Sequence, residues 1–162
     1  MLRPNQIELT PIGIIHTPYS EARDMPIQGR FKSDVEGWIE LEQRYVPGLK
    51  DLDGFSHLIL IYYFHRSERE EVEGRPYLED ETHGIFAIRS PHRPNHLGLS
   101  IVRLQRIEGN RIYFTEVDML EGTPLLDIKP YVEHFDLRQG VRSGWVDKHF
   151  RGRKPPRRTI IG

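Results

Sequence analysis

A short segment of the chain concentrates side chains that can bind a ligand. Residues 89–100, RSPHRPNHLGLS, contain two prolines, two arginines, two histidines and an asparagine. The prolines fix their own φ and push the residues before them toward extended conformations, so a helix is disfavoured here. Arg89, His92 and Arg93 are therefore presented on a stiff connection, as is typical of functional loops. An ordinary proline-rich turn with solvated arginines is the alternative interpretation.

Two further polar clusters accompany this loop. In residues 118–131, DMLEGTPLLDIKPY, Gly122 permits close approach of the backbone to a ligand, and Asp127 can accept hydrogen bonds from an amine or a ribose hydroxyl. Taken alone, these residues are explained more simply by a turn and an edge strand, with Asp127 and Lys129 as an exposed pair. The third cluster, MPIQGRF at residues 25–31, by itself indicates a loop.

Composition limits the classes of protein to consider. The 162 residues fit one domain, and 37% hydrophobic with 29% charged residues is typical of a globular chain. A net charge of -1 gives no overall attraction to nucleic acid or membrane, so RNA binding requires a local patch. The absence of cysteine excludes disulfides and thiol nucleophiles and fits a reducing compartment. The sequence has no span-length apolar run and no signal core, so we expect a cytoplasmic protein.

Several motifs of familiar enzymes are missing. The chain has no GxG fingerprint of a Rossmann fold, no GxxxxGK phosphate loop, no GxSxG and no HExxH. His92 and His96 are four residues apart, but Pro94 between them prevents a helical pair of ligands, and we expect no metal. A transferase without a covalent intermediate, or a binding domain, remains.

Short segments rich in good strand formers, separated by Gly and Pro, predict a mainly β protein. The predicted strands are residues 7–16 with an interruption at Pro11, 38–41, 55–64, 84–89, 99–106 and 111–119, the last two joined as a hairpin. Short helices are predicted at residues 47–52 and 68–73. Residues 66–82 are acidic and are expected to form a solvated excursion. We predict a single small antiparallel β-barrel with short helices in its connections, residues 1–140, followed by a basic tail, residues 141–162.

The motifs GIIHTPY, LDGFSHL, RSPHRPNHLGLS and GTPLLDIKPY, in this order and with the Gln-Gly segment, resemble the TsaA-like (TrmO) family over roughly residues 7–136. This resemblance implies a small β-barrel rather than a Rossmann fold, S-adenosylmethionine as cofactor and a homodimer. It also implies a tRNA N6-adenine methyltransferase that modifies threonylcarbamoyladenosine in the anticodon loop. Two alternatives stay open: a noncatalytic S-adenosylmethionine sensor, and a methyltransferase with another acceptor.

The resemblance also implies the residues of the site. The cofactor-binding residues are expected to be Gln28, Gly29, Arg30, Phe64, His65, Arg89, Leu99, Pro124, Leu125, Leu126 and Asp127. Arg89 suits the methionine carboxylate because a guanidinium can form a bidentate pair. Leu99 and Leu125 are expected to form an apolar wall for the adenine.

Catalysis of methyl transfer to a weakly nucleophilic amine requires an oriented acceptor for its proton more than a strong base. Asp127 is our first candidate for this acceptor, with Tyr131 or His65 as alternatives, and a role of Asp127 in cofactor binding alone stays open. The residues expected to bind the substrate are Arg30, His92 and Arg93, with Tyr19 as a further surface for stacking of bases. The arginines of the tail can add contacts to phosphates.

Overall fold

The computed structural model describes residues 3–150, which contain eight β-strands and two short α-helices joined by 3₁₀ turns. The strands are β1 (Gly13–His16), β2 (Glu36–Leu41), β3 (His57–Tyr63), β4 (Glu73–Gly74), β5 (His83–Gly84), β6 (Leu97–Glu108), β7 (Arg111–Thr115) and β8 (Thr123–Pro130). The helices are α1 (Glu133–Asp136) and α2 (Asp147–Phe150).

Six of the strands close into a barrel in the order β1-β2-β7-β6-β3-β8, with β8 pairing back onto β1. Every pair of neighbours in the barrel is antiparallel. Because closure leaves no free edge, each barrel strand has its backbone groups paired on both sides. The predicted fold class, a mainly β protein with one small antiparallel barrel, is confirmed.

The core of the barrel follows from the alternation of side chains along its strands. In β6 the residues from Leu97 to Val102 alternate between exposed and buried positions, as a pleated strand requires. The fully buried interior is aliphatic and aromatic: Ile15, Ile39, Leu58, Leu60, Val102, Ile112, Phe114, Val117 and Leu125. Removing each such side chain from water contributes about 2 kcal/mol, so this interior fixes which face of every strand points inward.

The predicted hairpin between residues 99–106 and 111–119 is confirmed, although β6 begins earlier and β7 ends earlier than predicted. The turn consists of Gly109 and Asn110, and Gly109 has a φ of 61°, a conformation that glycine adopts without strain. The strand at residues 55–64 is also confirmed as β3, and its register with β8 shifts between Ile61 and Tyr62.

Other local predictions were wrong. Residues 85–87 form a 3₁₀ turn rather than a strand, and residues 68–73 form no helix. Residues 43–49 and 52–54 are 3₁₀ turns, which replace the predicted helix at 47–52. The strand at 7–16 is shortened to β1, after Pro11. The segment after Gly122 is an interior strand, since β8 pairs with both β1 and β3.

The end of the described chain packs onto the excursion at residues 66–82. Trp145 donates a hydrogen bond from its indole nitrogen to the carbonyl oxygen of Ala87, 2.8 Å away. The carboxylate of Glu79 contacts Lys148 and His149, and its side chain is only 8% exposed. The prediction that the excursion is solvated is therefore wrong at Glu79. Residues 151–162, which hold most of the basic tail, lie outside the described residues. Residues 3–150 contain no helix with the length and apolar character that a membrane span requires.

Candidate functional site

A chain of hydrogen-bonded polar groups, two of them buried, lies at the end of the barrel where β3 ends and β6 begins. The hydroxyl of Ser100 donates to Oδ1 of Asp118 over 2.5 Å. Because that proton is used, the hydroxyl of Tyr62 donates to Ser100, 2.7 Å away. Tyr62 is 4% and Ser100 is 4% exposed, so these groups satisfy one another rather than water.

The carboxyl group of Asp118 titrates far from its ordinary range. Burial raises its pKa from 3.8 to about 6, while hydrogen bonds from Ser100 and the amide of Gly29 and the charge of Arg89 act in the opposite direction. Burial also raises the pKa of Tyr62, and the nearby Asp118 adds to this effect. The site thus holds a carboxyl group that changes charge close to neutral pH.

The turn at Gly29 joins this chain of polar groups to the proline-rich loop. The amide of Gly29 donates to Oδ2 of Asp118 over 3.3 Å, and Nη1 of Arg89 donates to Oε1 of Gln28 over 3.2 Å. A Cβ atom at Gly29 would lie 1.8 Å from the carbonyl oxygen of Glu116, so only glycine fits this approach. Gln28, Gly29 and Arg89, predicted from separate motifs, are therefore neighbours.

The proline-rich loop is held by its own side chains. Nη1 of Arg93 donates to the carbonyl oxygen of Ile88 over 2.7 Å, and Nδ1 of His92 lies 2.7 Å from the hydroxyl of Ser67. Asn95 has a φ of 65° in the same loop. Arg93 and His92 thus position the loop, and of the three predicted substrate residues Arg30 alone is exposed.

Phe64 and His65 continue β3 into the same end of the barrel. The ring of Phe64 packs edge-on against Tyr62 with 5.5 Å between centroids. Nε2 of His65 lies 3.9 Å from the position of a Cβ atom on Gly122, immediately before β8. Burial, aided by the charge of Arg66, lowers the pKa of His65, which favours the neutral ring that can accept a proton.

Tyr19 lies beside Glu121, which precedes Gly122 and β8, and beside Lys32. Its carbonyl oxygen accepts from the amide of Glu121, and the ammonium of Lys32 lies 5.6 Å from its ring centroid. The side chain is 5% exposed, so the prediction that it offers a stacking surface for bases was wrong. Its hydroxyl is buried and has no hydrogen-bond partner among the described residues. A hydroxyl of this kind can bind an ordered water or a polar group of a ligand.

The predicted residues on β8 are spread along the strand. Pro124 lies near its start, two residues after Gly122, whereas Tyr131 follows its end and contacts His57 with 6.2 Å between ring centroids. At about 3.3 Å per residue, Tyr131 lies about 23 Å along the strand direction from Pro124. The two alternative proton acceptors, His65 and Tyr131, therefore lie at opposite ends of β8.

Leu126 and Asp127 occupy the middle of β8 and line an open groove of about 450 Å³ with Tyr45, residues 48–52 and Phe55. The carboxylate of Asp127 is 3.0 Å from the ammonium of Lys129, with 44% of the Asp127 side chain exposed. The exposed ion pair, which the residues alone favoured, is therefore present.

Leu99 and Leu125 do not form a common wall in this chain. Leu125 is fully buried inside the barrel, whereas Leu99 is 54% exposed on its outer surface. Leu99 faces outward because it alternates with the buried Gly98 and Ser100 along β6.

The predicted site residues did not include Asp118, Ser100 and Tyr62. Tyr62 and Ser100 lie within apolar strands and resemble ordinary core and surface positions there. The sequence feature that could have indicated this site is the position of Asp118, a carboxylate that follows the apolar residues of β7 and precedes Gly122.

Comparisons with known proteins agree with this barrel and its motifs. The sequence model of the tRNA-methyltransferase O N-terminal domain matches residues 14–137, so the chain belongs to that family. A protein of Pyrococcus abyssi named as a probable S-adenosyl-L-methionine-binding protein is 50% identical over 149 residues, 92% of this chain and 81% of its own. The resemblance to the TsaA-like (TrmO) family is confirmed.

Two further relatives are longer than this chain. The human tRNA (adenine(37)-N6)-methyltransferase is 31% identical over 157 residues, which are 93% of this chain and 36% of that protein. A crystal structure of TrmO from Pseudomonas aeruginosa has a TM-score of 0.74 at 34% identity and covers 86% of this chain and 62% of that one. The chain thus spans about a third of the human protein and less than two thirds of the solved one.

Proposed function

We propose that the chain binds S-adenosylmethionine and transfers its methyl group to N6 of threonylcarbamoyladenosine in the anticodon loop of tRNA. The observation that carries this proposal is the convergence of Gln28, Gly29 and Arg89 beside the partly buried Asp118, within a barrel of the tRNA-methyltransferase O family. The names of the relatives from P. abyssi and human support the cofactor and the reaction respectively.

The residues at this end of the barrel fit such a cofactor. Arg89 is an exposed cation that can bind the amino acid carboxylate as a bidentate pair. The orphan hydroxyl of Tyr19 and the side-chain amide of Gln28 can accept or donate hydrogen bonds to polar groups of the nucleoside. The neighbouring Phe64 offers an apolar ring that suits a base or a sulfonium. When bound, S-adenosylmethionine supplies an electrophilic methyl group.

The proposed chemistry needs one group that orients the acceptor nitrogen and takes its proton. Asp127 remains the first candidate, and forming the reactive arrangement would require its carboxylate to exchange Lys129 for the substrate. His65 is the alternative that the geometry favours over Tyr131, because its partly buried ring lies beside Gly122, at the end of the barrel that holds Tyr62 and Phe64. Arg30, exposed at the Gly29 turn, is the cation we propose for the threonylcarbamoyl carboxylate.

A homodimer belongs to the same proposal. Tyr63 of β3 and three residues of β6, Leu97, Leu99 and Ile101, lie on the outer face of adjacent strands and are 39%, 39%, 54% and 47% exposed. An apolar patch of this kind is typical of a surface that another molecule covers. Sedimentation equilibrium tests the proposal: a dimer that Ile101→Glu converts to a monomer supports this face, and a monomeric unchanged chain contradicts it.

The expected cytoplasmic location is part of the proposal as well, and fractionation of cells that express the full chain tests it. A noncatalytic sensor of S-adenosylmethionine is the second candidate. The observation that favours it is the exposed Asp127–Lys129 pair, which leaves the first candidate for proton acceptor engaged elsewhere.

Nucleoside mass spectrometry separates the two candidates. Purified protein and S-adenosylmethionine are incubated with tRNA that carries threonylcarbamoyladenosine but lacks its methyl group. A new methylated threonylcarbamoyladenosine supports the transferase. Binding of S-adenosylmethionine in calorimetry without any methylated nucleoside, in the same preparation, supports the sensor or another acceptor.

A further inference from the structure

A second cluster of polar groups lies in the excursion between β3 and β6, apart from the proposed cofactor site. Glu79, Glu81 and His83 offer ligand atoms that all lie within 4.8 Å of one another. A fourth possible ligand atom comes from the C-terminal end of the described chain. Nε2 of His149 lies 2.8 Å from Oε2 of Glu79. Nε2 of His83 contacts Oε1 of the same carboxylate. Two imidazoles from segments far apart in sequence therefore converge on one carboxylate.

Three of the four side chains are shielded from water, whereas Glu81 is exposed, and the imidazole rings are held in fixed orientations. The side chains of Glu79, His83 and His149 are only 8%, 17% and 19% exposed. The indole of Trp145 stacks on the ring of His83 with 4.6 Å between centroids and meets the ring of His149 edge-on at 6.1 Å. Its nitrogen is tied to the carbonyl oxygen of Ala87. The indole of Trp145 therefore restricts the orientation of both imidazole rings.

We propose that Glu79, Glu81, His83 and His149 bind one Zn²⁺ ion, which joins the excursion to the C-terminal segment of the described chain. Two nitrogens and two carboxylate oxygens are a donor set that suits zinc, and the two negative charges balance the ion. Ligands about 2.1 Å from a tetrahedral ion lie about 3.4 Å from one another. The ligand atoms of Glu79, Glu81 and His83 lie within 4.8 Å of one another, so ion binding must draw them together, and His149 must turn from Glu79 toward the ion. This site replaces the expectation of no metal, which rested on His92 and His96.

The positively charged Lys148 competes with a metal ion for Glu79. The ammonium of Lys148 lies 2.6 Å from Oε2 of Glu79, so zinc must displace it. The side chain of Lys148 is 54% exposed, and it can turn into solvent without disturbing the core. Without metal, the cluster is a set of ion pairs that holds the C-terminal segment in place. The proposal therefore predicts that removal of Lys148 strengthens metal binding, which a purely structural cluster of ion pairs does not.

The test titrates Zn²⁺ into the full chain, after removal of metal with EDTA, in competition with a chromophoric chelator. We expect one ion per chain, a loss of affinity of at least about tenfold in His83→Ala and in His149→Ala, and no change in His134→Ala, an exposed histidine of α1. Lys148→Ala should bind zinc about fivefold more tightly, because the ion no longer has to break an exposed ion pair. Lys50→Ala, at another exposed lysine, should bind zinc with unchanged affinity.

The histidine variants can fail through misfolding, but the lysine variant distinguishes a metal site from a structural cluster by a gain. Far-ultraviolet circular dichroism checks that all variants keep the barrel. Absence of stoichiometric zinc binding by the wild-type chain, or binding that neither His149→Ala nor Lys148→Ala changes, overturns the proposal. Substitution with Co²⁺ gives a second readout, because a four-coordinate ion with nitrogen and oxygen ligands absorbs strongly in the visible range.

Discussion

Asp118→Asn is expected to make the protein more stable at neutral pH, although it removes a hydrogen-bonded carboxylate. Burial raises the pKa of Asp118 from 3.8 to about 6, so the folded chain binds this proton more tightly than the unfolded chain. The stability that the proton confers is full at low pH and is lost as the pH rises through about 6. The difference between the two pKa values corresponds to about 3 kcal/mol, which the ionised wild-type protein lacks at about pH 8.

Asparagine keeps the shape of the aspartate and carries no charge. Its oxygen can accept from the amide of Gly29 while its amide nitrogen donates to Ser100, but one hydroxyl proton of the Tyr62 and Ser100 pair then loses its acceptor. This loss costs about 1 kcal/mol at every pH. We therefore expect the variant to be about 2 kcal/mol more stable than the wild type at about pH 8, and this advantage to fall by about 2.5 kcal/mol at about pH 4.

Urea unfolding of both proteins across this pH range measures the difference directly, because all other titrating groups are common to the two chains. Asp53→Asn, at an exposed position in the 3₁₀ turn of residues 52–54, is the matched control and should follow the wild type. An Asp118→Asn advantage that does not change with pH, or one that grows toward low pH, would refute the assignment of a costly buried charge to this site.

Three further substitutions test the site. Gly29→Ala should lower the free energy of unfolding by about 3 kcal/mol, because its Cβ would lie 1.8 Å from the backbone oxygen of Glu116. Gly48→Ala is the control, because the space around Gly48 is open and no such loss is expected. Chemical unfolding of both variants measures the two free energies. Arg89→Ala should weaken binding of S-adenosylmethionine at least about tenfold in calorimetry, and an unchanged affinity removes Arg89 from the site. Asp127→Asn should lower turnover about a hundredfold with cofactor affinity intact; lost affinity with normal turnover of the saturated enzyme contradicts its role in catalysis.

The strands whose residues combine β-branched or aromatic side chains with clear turn signals were predicted well. The run at 55–64 and the hairpin around Gly109 are examples, because their own propensities agree with the burial that the barrel imposes on them. The segment 84–89 was predicted as a strand for the same reasons, yet it forms a 3₁₀ turn. It lies outside the barrel, where no neighbouring barrel strand pairs with it, and only the tertiary structure decides this.

The candidate site likewise has residues that the sequence predicted and one that only the tertiary structure revealed. The sequence identified Gln28, Gly29 and Arg89 from motifs that stand far apart, and the fold brings them together. It could not identify Asp118 as their partner, because the carboxylate is significant only through its burial beside Ser100.

By itself the sequence determined that the chain has no cysteine, that its segments favour β-strands, and that its polar motifs are typical of one family. Only the tertiary structure decided which groups share a surface. Closure of the barrel turned Leu125 inward and Leu99 outward, and folding of the C-terminal segment brought His149 to Glu79. Such choices depend on contacts between residues distant in the chain, which local propensity and spacing do not encode.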